Sequence, residues 1–479
     1  MSKPVSETSD NERRLESLML THPAWANVSA LTADDSDVEV READPVVLRR
    51  AFDAFVAQIG VDNWLIRRDA IAAQFQRKSV EFMGYVDAPV LAFDDTIAWY
   101  LYLCELAIAR PYELPTYYSA RALPFLGAIG SKLQYATSVK NLDGKLRETM
   151  TDRKREPDGF IFEVLVALSY AEYGWTVEFL PEGSDPTPDM RVERSGVQLL
   201  VECKRMSSRS QYAIEEEALW RRHWDEAVPF LRGLGQSIWL DVVAHVKLET
   251  LPNDWLPKRI AALLPLTGSL AASSDENASV RLRIIDRTAL DSDLAWSSVK
   301  LAGSKLRHLL GGDWVPENAI TSLSVEGERK NAGATPGYFA TYLETVNWAS
   351  GATFSCDADD AIERKARDVK ATIARAVRQL PDDQFSVLHV AFETLDGPGV
   401  ETERMKKIIS SIERMESMKA VIAIVLHALG PVDSKDQVMV IDETSSEFWC
   451  GPPMRNFIPL MVVLPAGYGL QSRKGTHWL

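Results

Sequence analysis

Residues 159–205 place acidic side chains where the surrounding pattern predicts a buried core. The segment begins with an almost wholly apolar stretch of helical length that contains one acid, Glu163, in its first turns. A strand and a Pro-rich loop follow, and Pro188-Asp189 opens a second strand. A third strand, 197–201, runs into Glu202-Cys203-Lys204. Burying unpaired charges is costly, so these acids require a cation, a network of partners or a functional explanation.

The alternation of side chains along a strand predicts the face to which each of these residues points. Glu202 and Lys204 are two apart and point to the same face, whereas Cys203 points to the opposite, apolar face. Asp189, on the neighbouring strand, can meet Glu202 across one metal ion. Mg²⁺ prefers oxygen ligands and keeps several waters, so two or three carboxylates suffice to bind it. The backbone carbonyl of Cys203 is available as another ligand.

Together these motifs resemble the PD-(D/E)XK nuclease superfamily, which has the restriction-endonuclease-like fold. The family pattern is a helix acid, then Pro-Asp at a strand start, then Glu-x-Lys at the end of the next strand. Here it reads Glu163, Pro188-Asp189 and Glu202-Cys203-Lys204. The resemblance implies that Asp189 and Glu202 are metal ligands and that Glu163 is a further, often water-mediated, ligand. It implies that Lys204 positions or activates the attacking water, with Mg²⁺, or Mn²⁺ in its place, as cofactor.

The function that this resemblance implies is a metal-dependent endonuclease acting on DNA, in bacterial defence, restriction or repair. RNA is the alternative substrate, because nothing in the sequence distinguishes the two. A cut through both strands would favour a homodimer. The alternative is a non-catalytic nucleic-acid-binding or regulatory protein on a nuclease-like scaffold, in which Glu202 or Asp189 only forms an ion pair with Lys204. Pro-Asp also occurs at 157–158 and 381–382, but neither is followed by a hairpin that ends in Glu-x-Lys.

Other candidate motifs are weaker. His245-Val246-Lys247 is similar to the opening of the phospholipase-D-like HxK motif, but Pro252 stands where that motif needs Asp. His389 and His427 lie inside apolar runs, which is typical of core histidines with satisfied hydrogen bonds.

Local basic clusters are the candidates for nucleic-acid contact in a chain of net charge −15. Arg205 and Arg209 flank the Glu-x-Lys motif and can contact phosphates. A predicted helix at 362–380 has an apolar face and an opposite basic face. The arginines of that basic face are Arg364, Arg367, Arg375 and Arg378. A solvated face paired with nearby acids explains the same pattern.

Alternating helices and apolar strands predict an α/β fold with a mixed sheet flanked by helices. The resemblance implies that this central sheet is restriction-endonuclease-like. The segments are an acidic, mobile N-terminus at 1–42, a helical region at 43–151, the nuclease-like domain at 152–290, a linker or irregular segment at 291–337 and a C-terminal α/β region at 338–479. After the motif, strands are expected at 237–246, 279–285, 385–392, 420–426, 437–441 and 460–464, helices at 213–234, 254–264, 359–380 and 401–415, and a loop at 267–277.

Cysteine usage and the absence of a signal pattern indicate a cytoplasmic protein. The four cysteines form no CxxC pair, so neither a disulfide framework nor a zinc site is expected. The most apolar helix, 96–109, is too short to span a bilayer and contains Glu105, so no membrane association is expected.

Overall fold

The computed structural model describes most of the chain. The described residues are 44–81, 91–181, 187–206, 209–264, 270–312, 314–315, 320–332, 337–366, 370–414, 420–433, 439–450 and 463–464. The expected mobile segment 1–42, Arg367 and most of the strand expected at 460–464 lie outside them.

The N-terminal part of the described chain is helical. Its helices are α1 Pro45–Val56, α2 Val61–Glu81, α3 Thr96–Ala109, α4 Thr116–Lys132 and α5 Leu142–Met150, with 3₁₀ turns at Pro111–Glu113 and Leu133–Ser138. The side chains of Asp44 and Asp95 cap α1 and α3 by accepting hydrogen bonds from backbone amides of the first turn. Because α3 is apolar on all sides, it is buried along almost its whole length.

A mixed sheet, the central sheet, holds the predicted site. Among the described residues its strand order is β1-β2-β3-β4-β13-β14-β15. The strands are β1 Val139–Lys140, β2 Thr176–Phe179, β3 Met190–Arg194, β4 Val197–Met206, β13 Ser386–Glu393, β14 Val421–Asp433 and β15 Met439–Trp449. β4 pairs antiparallel with β3 and parallel with β13, which pairs parallel with β14.

Helices cover both faces of the central sheet. α6 Asp158–Glu172 packs on one face, where Val201 and Cys203 belong to the same buried cluster as its apolar side chains. α12 Lys370–Gln379 and α13 Pro398–Glu413 cover the other face, against Leu388 and Val390. The α/β class is therefore confirmed, with a mixed sheet between helices.

A second sheet is formed by the chain between β4 and β13. In the described part its order is β6-β7-β5-β12-β9. The strands are β5 Ile238–Ala244, β6 Leu270–Ser274, β7 Ala278–Ile284, β9 Ile320–Glu326 and β12 Trp348–Cys356. Trp220 and Trp224 of α7 Gln211–Gly233 are fully buried against it, together with Leu256 of α8 Trp255–Leu263.

A small antiparallel sheet and two helices pack on the second sheet. The elements are β8 Val299–Lys300, β10 Arg329–Asn331, β11 Thr341–Leu343, α9 Thr288–Trp296 and α10 Ser304–Gly311, with 3₁₀ turns at Leu248–Thr250 and Tyr338–Ala340. Trp239 lies between Gly351 and Gly311, where an added Cβ would come within 2.3 Å of the indole ring. Glycine is needed at both positions because only it admits this ring.

The predicted segment boundaries do not match the sheets. β13, β14 and β15 belong to the expected C-terminal region at 338–479, yet they continue the sheet that begins in the expected nuclease-like domain at 152–290. The second sheet, at 238–356, is inserted between β4 and β13 and takes its strand β9 from the expected linker at 291–337. Parallel pairing of β4 with β13 across this insertion leaves no local sequence signal.

Two local predictions also differ from the structure. The expected loop at 267–277 contains β6, an edge strand of small residues that pairs with β7. The expected single helix at 359–380 is instead α11 Asp359–Lys365 followed by α12 Lys370–Gln379. Ala366, which ends α11, has a non-helical backbone with φ −71° and ψ 74°. The basic residues therefore do not share one continuous helix face.

None of the helices in the described ranges is sufficiently long and apolar to cross a membrane.

Candidate functional site

Asp189 is held beside β4 by a main-chain amide. β3 pairs with β4 as far as Met190 and Val201, and β4 then continues without β3 on that edge. The amide of Cys203 faces this edge and donates a 2.6 Å hydrogen bond to Oδ2 of Asp189. The aspartate side chain therefore replaces the missing strand and lies next to Glu202.

Glu202 and Lys204 lie inside β4, which continues to Met206 and so extends past the strand expected at 197–201. β13 continues the pairing, with Leu388 opposite Glu202 and Val390 opposite Lys204. Glu202 is consequently 0% exposed. Its carboxylate forms an ion pair with the Lys204 ammonium, whose side chain is 26% exposed. Neither carboxylate oxygen of Glu202 makes a well-aligned hydrogen bond within the described residues.

Glu163 has a cationic partner that the sequence did not suggest. The Nζ atom of Lys145, on α5, lies 2.5 Å from Oε2 of Glu163 on α6. Lys145 also lies over the Phe160 ring, with Nζ 4.0 Å from the ring centroid. Periodicity cannot reveal such a contact, because α5 and α6 meet only in the folded chain.

Burial dominates the acid–base properties of this site. Burial and, after it, Asp189 raise the pKa of Glu163 to about 8, against the lowering effect of Lys145 and Lys204. Burial followed by Asp189 likewise raises the pKa of Glu202 to about 7, against the effect of Lys204. The pKa of Lys204 is raised, because Glu202 and Asp189 outweigh the lowering effect of burial. Asp189 is thus electrostatically close to both glutamates, and the ammonium of Lys204 stays protonated.

The structure does not gather all the predicted ligands around one point. In the described ranges, no group of three or more His, Cys, Asp or Glu side chains is arranged to hold a metal ion. Glu163 instead pairs with Lys145. Cys203 packs its thiol in the core on the α6 face, as expected from alternation. Two carboxylates on adjacent strands, Asp189 and Glu202, are the donors that remain.

Arg205 and Arg209, predicted to contact nucleic acid, are engaged with acids inside the protein. The side chain of Arg205 is 2% exposed and lies between Asp158 and Glu393, at 3.9 and 3.8 Å. Arg209 pairs with Asp396 at 2.6 Å and with Glu217. Arg205 is buried because β4 continues past Lys204 and turns it toward the α6 face, where its guanidinium also lies over the Phe125 ring. Arg209, which follows β4, is 18% exposed and already paired with two acids.

The remaining predicted basic residues differ from these two. Arg375 and Arg378 on α12 are exposed, and Arg364 is exposed on α11 with its guanidinium over Tyr212. Arg367 is not among the described residues. Of the predicted basic face, Arg375 and Arg378 are therefore the residues that lie together, exposed, on one helix.

The Pro-Asp dipeptide at 157–158 has a structural role. Burial would raise the pKa of Asp158, but Arg205 and Arg121 outweigh it and lower the pKa. Arg121 also binds Glu393 at 2.8 Å, so the four side chains form one ion cluster, in which only Arg121 is substantially exposed. Such a cluster stabilises ionised acids that would otherwise lose their hydration without compensation.

The two core histidines have satisfied hydrogen bonds, as expected. Tyr170 Oη lies 3.1 Å from His389 Nε2, and His389 Nδ1 lies 2.9 Å from His427 Nε2. His427 Nδ1 in turn lies 2.6 Å from Glu443. Burial and the neighbouring His427 lower the pKa of His389, so this ring is neutral. This series of hydrogen bonds connects α6 to β13, β14 and β15.

Comparisons with protein-family models, curated proteins and solved structures find no match to this chain.

Proposed function

We propose that this protein is a metal-dependent nuclease that hydrolyses phosphodiester bonds, with DNA as its favoured substrate. The observation that carries the proposal is the placement of Asp189 beside Glu202 on adjacent strands, with Lys204 on the same face of β4 as Glu202. The proposal also rests on the resemblance of these motifs to the PD-(D/E)XK superfamily. Defence, restriction or repair is the setting that this resemblance suggests.

Asp189 and Glu202 would hold the Mg²⁺ or Mn²⁺ ion. The two buried oxygens of Glu202, which lack well-aligned hydrogen bonds in the described chain, suit a hard cation that accepts carboxylate ligands and keeps its own waters. When bound, such a cation stabilises negative charge on the scissile phosphate and makes water a better nucleophile. Glu163, which pairs with Lys145, would act from outside the direct ligand set.

Lys204 would contribute positive charge at the reacting phosphate. Its raised pKa keeps the ammonium protonated at neutral pH, so it is suited to stabilise phosphate charge and to orient water as a hydrogen-bond donor. Its partial exposure lets a substrate reach it, whereas Glu202 beneath it is fully buried. In this role Lys204 holds a proton and does not accept one.

Cleavage assays test the proposal directly. Plasmid and linear DNA are incubated with Mg²⁺ or Mn²⁺ and with the wild type, Asp189→Ala or Lys204→Ala. Glu215→Ala, which removes an exposed carboxylate on α7, is the matched control. We expect cleavage by the wild type and the control only. Cleavage that persists in both site variants would contradict the mechanism.

The non-catalytic alternative has its own structural support. Each of the two glutamates already has a lysine partner, Lys145 or Lys204, which can serve as countercharge for a purely structural site. Thermal unfolding with and without Mn²⁺ separates the two functions. The nuclease should show a metal-dependent rise in melting temperature that Glu202→Ala abolishes, whereas the scaffold should bind DNA without that rise.

A further inference from the structure

Asp357, His245 and Ser279 form a hydrogen-bonded series at one end of the second sheet. His245 Nδ1 lies 2.9 and 3.1 Å from the two carboxylate oxygens of Asp357. On the other side of the ring, His245 Nε2 lies 2.7 Å from the Ser279 hydroxyl. The order is acid, imidazole and hydroxyl, with each contact at hydrogen-bond distance.

The second sheet fixes this arrangement through its backbone. Parallel pairing of β12 with β5 places Cys356 opposite Ala244, so Asp357 and His245 leave the sheet side by side. The amide of Asp357 donates to the carbonyl of Ala244 at 3.0 Å, and the amide of His245 donates to Asn277 at 2.8 Å. Ser279 lies near the start of β7, which pairs antiparallel with β5. Rigid strand ends therefore position all three side chains.

The direction of the hydrogen bonds follows from the acid. An ionised carboxylate only accepts, so the proton of neutral His245 is on Nδ1 and its Nε2 has a free lone pair. The Ser279 hydroxyl must then donate to Nε2. This is the orientation in which an imidazole takes a proton from a serine hydroxyl as general base.

A second hydroxyl stands beside the first. Ser274 lies opposite Ser279 in the β6–β7 hairpin, and the two Oγ atoms are 2.7 Å apart. Because Ser279 donates to His245, Ser274 donates to Ser279. Ser274 is exposed and Ser279 is half-buried, while the side chains of His245 and Asp357 are 28% and 56% exposed. Solvent and a small substrate therefore reach both hydroxyls.

We propose that Ser279 is the nucleophile of a second hydrolytic site, independent of the carboxylate site, with His245 as general base and Asp357 as the group that orients it. Its substrate class is carboxylic esters with a short or flexible acyl group. Among the described residues, Ser274 is the one side-chain donor beside the reacting oxygen. A single donor suits an ester, whose alcohol leaves readily, rather than an amide.

The reaction balances with water as the other reactant. Ser279 Oγ bonds to the ester carbonyl carbon as its proton moves to His245 Nε2, and the carbonyl oxygen takes up the negative charge. That charge collapses, the bond to the alcohol oxygen breaks, and His245 returns the proton to the alcohol. Water then attacks the acyl-Ser279 ester by the same route and releases the carboxylic acid.

Labelling with a fluorophosphonate probe tests the reactivity of Ser279 in the full chain, with the modified residue located by mass spectrometry. We expect the label on Ser279 and hydrolysis of p-nitrophenyl acetate, with both lost in Ser279→Ala. His245→Gln and Asp357→Asn should slow labelling by about 10²-fold, the usual contribution of a general base. Ser297→Ala is the control, because within the described part of the chain its half-buried hydroxyl bonds only the backbone carbonyl of Asp293.

Two results would overturn the proposal. One is a label that is absent or distributed over other serines. The other is a rate of Ser279 labelling that stays unchanged in His245→Gln while circular dichroism shows the variant folded. Ser279→Cys provides a further measurement that does not require loss of a polar group, since a thiol activated by His245 should react faster with iodoacetamide than the same variant carrying His245→Gln.

Discussion

The main-chain amide of Cys203 donates a 2.6 Å hydrogen bond to the side chain of Asp189. This bond replaces the pairing that β4 lacks beyond Val201, which is opposite Met190, the first residue of β3. Asp189 therefore has two separable tasks: it satisfies a backbone donor of a central strand, and in the proposed function it binds a metal ion. Substitutions that keep one task and remove the other should separate the effect of Asp189 on stability from its effect on DNA cleavage.

Asp189→Ala should lower the free energy of unfolding by about 1–3 kcal/mol, because it leaves the Cys203 amide without its acceptor. Asp189→Asn should restore most of that stability, since the side-chain carbonyl oxygen still accepts the bond. Neither variant should cleave DNA with Mg²⁺, because the anionic ligand is gone from both. Chemical denaturation and plasmid cleavage measure the two effects. Equal stabilities of the Ala and Asn variants would show that the bond contributes nothing.

Lys145→Met should lower the free energy of unfolding by about 1–3 kcal/mol at pH 7. This loss is smaller than the loss expected when the substitution leaves behind a buried acid that stays ionised. The cost is limited because Glu163, whose pKa is about 8, is already largely protonated at pH 7. Glu163→Gln should make the Lys145→Met substitution nearly neutral. A double-mutant cycle measured by urea unfolding gives the coupling energy, expected at about 1–2 kcal/mol. Additive effects would mean that the two side chains do not interact.

The local part of the site is predictable because its signals are local. The apolar run at α6 predicts a buried helix with Glu163 on it, and alternation in β4 predicts that Glu202 and Lys204 share a face while Cys203 enters the core. The order of helix and strands from α6 to β4 follows from the same periodicities. A short-range pattern is sufficient to predict where a side chain points when that direction depends on a single helix or strand.

The rest depends on pairings between distant parts of the chain. β13 adjoins β4 across the inserted second sheet, and this pairing keeps Glu202 inside a strand and buries it. The same continuation of β4 turns Arg205 inward toward Asp158, so a residue expected to bind phosphate belongs to an ion cluster. Composition does not distinguish a buried arginine from an exposed one. The sequence likewise does not reveal Lys145 as the partner of Glu163, because the helices that carry them meet only in the folded chain.

Arg205→Ala should destabilise the protein by about 3–5 kcal/mol, because Asp158 and Glu393 would remain buried with less countercharge.

Paired substitution of the exposed Arg375 and Arg378 by Ala should change stability by no more than about 0.5 kcal/mol. If α12 binds DNA, the paired variant should also lower the slope of log affinity against log salt by about one for each phosphate that is no longer neutralised. Fluorescence anisotropy over a salt series measures this, and an unchanged slope would exclude α12 from the interface.

Glu202→Gln should stabilise the metal-free protein at high pH and leave its stability unchanged at low pH. The pKa of Glu202 is about 7 in the folded protein, above its ordinary value of 4.5, so the folded state binds the proton more tightly than the unfolded state. Its contribution to stability is therefore complete below about pH 4.5 and is lost as pH rises toward and through 7. Glutamine keeps the shape of the protonated acid without titrating. The variant should exceed the wild type by up to about 3 kcal/mol at pH 8.5 and match it at pH 4.5, as measured by denaturant unfolding. Added Mn²⁺ should reverse the order at pH 8.5, since it stabilises only the ionised acid, and a difference that does not vary with pH would contradict the raised pKa.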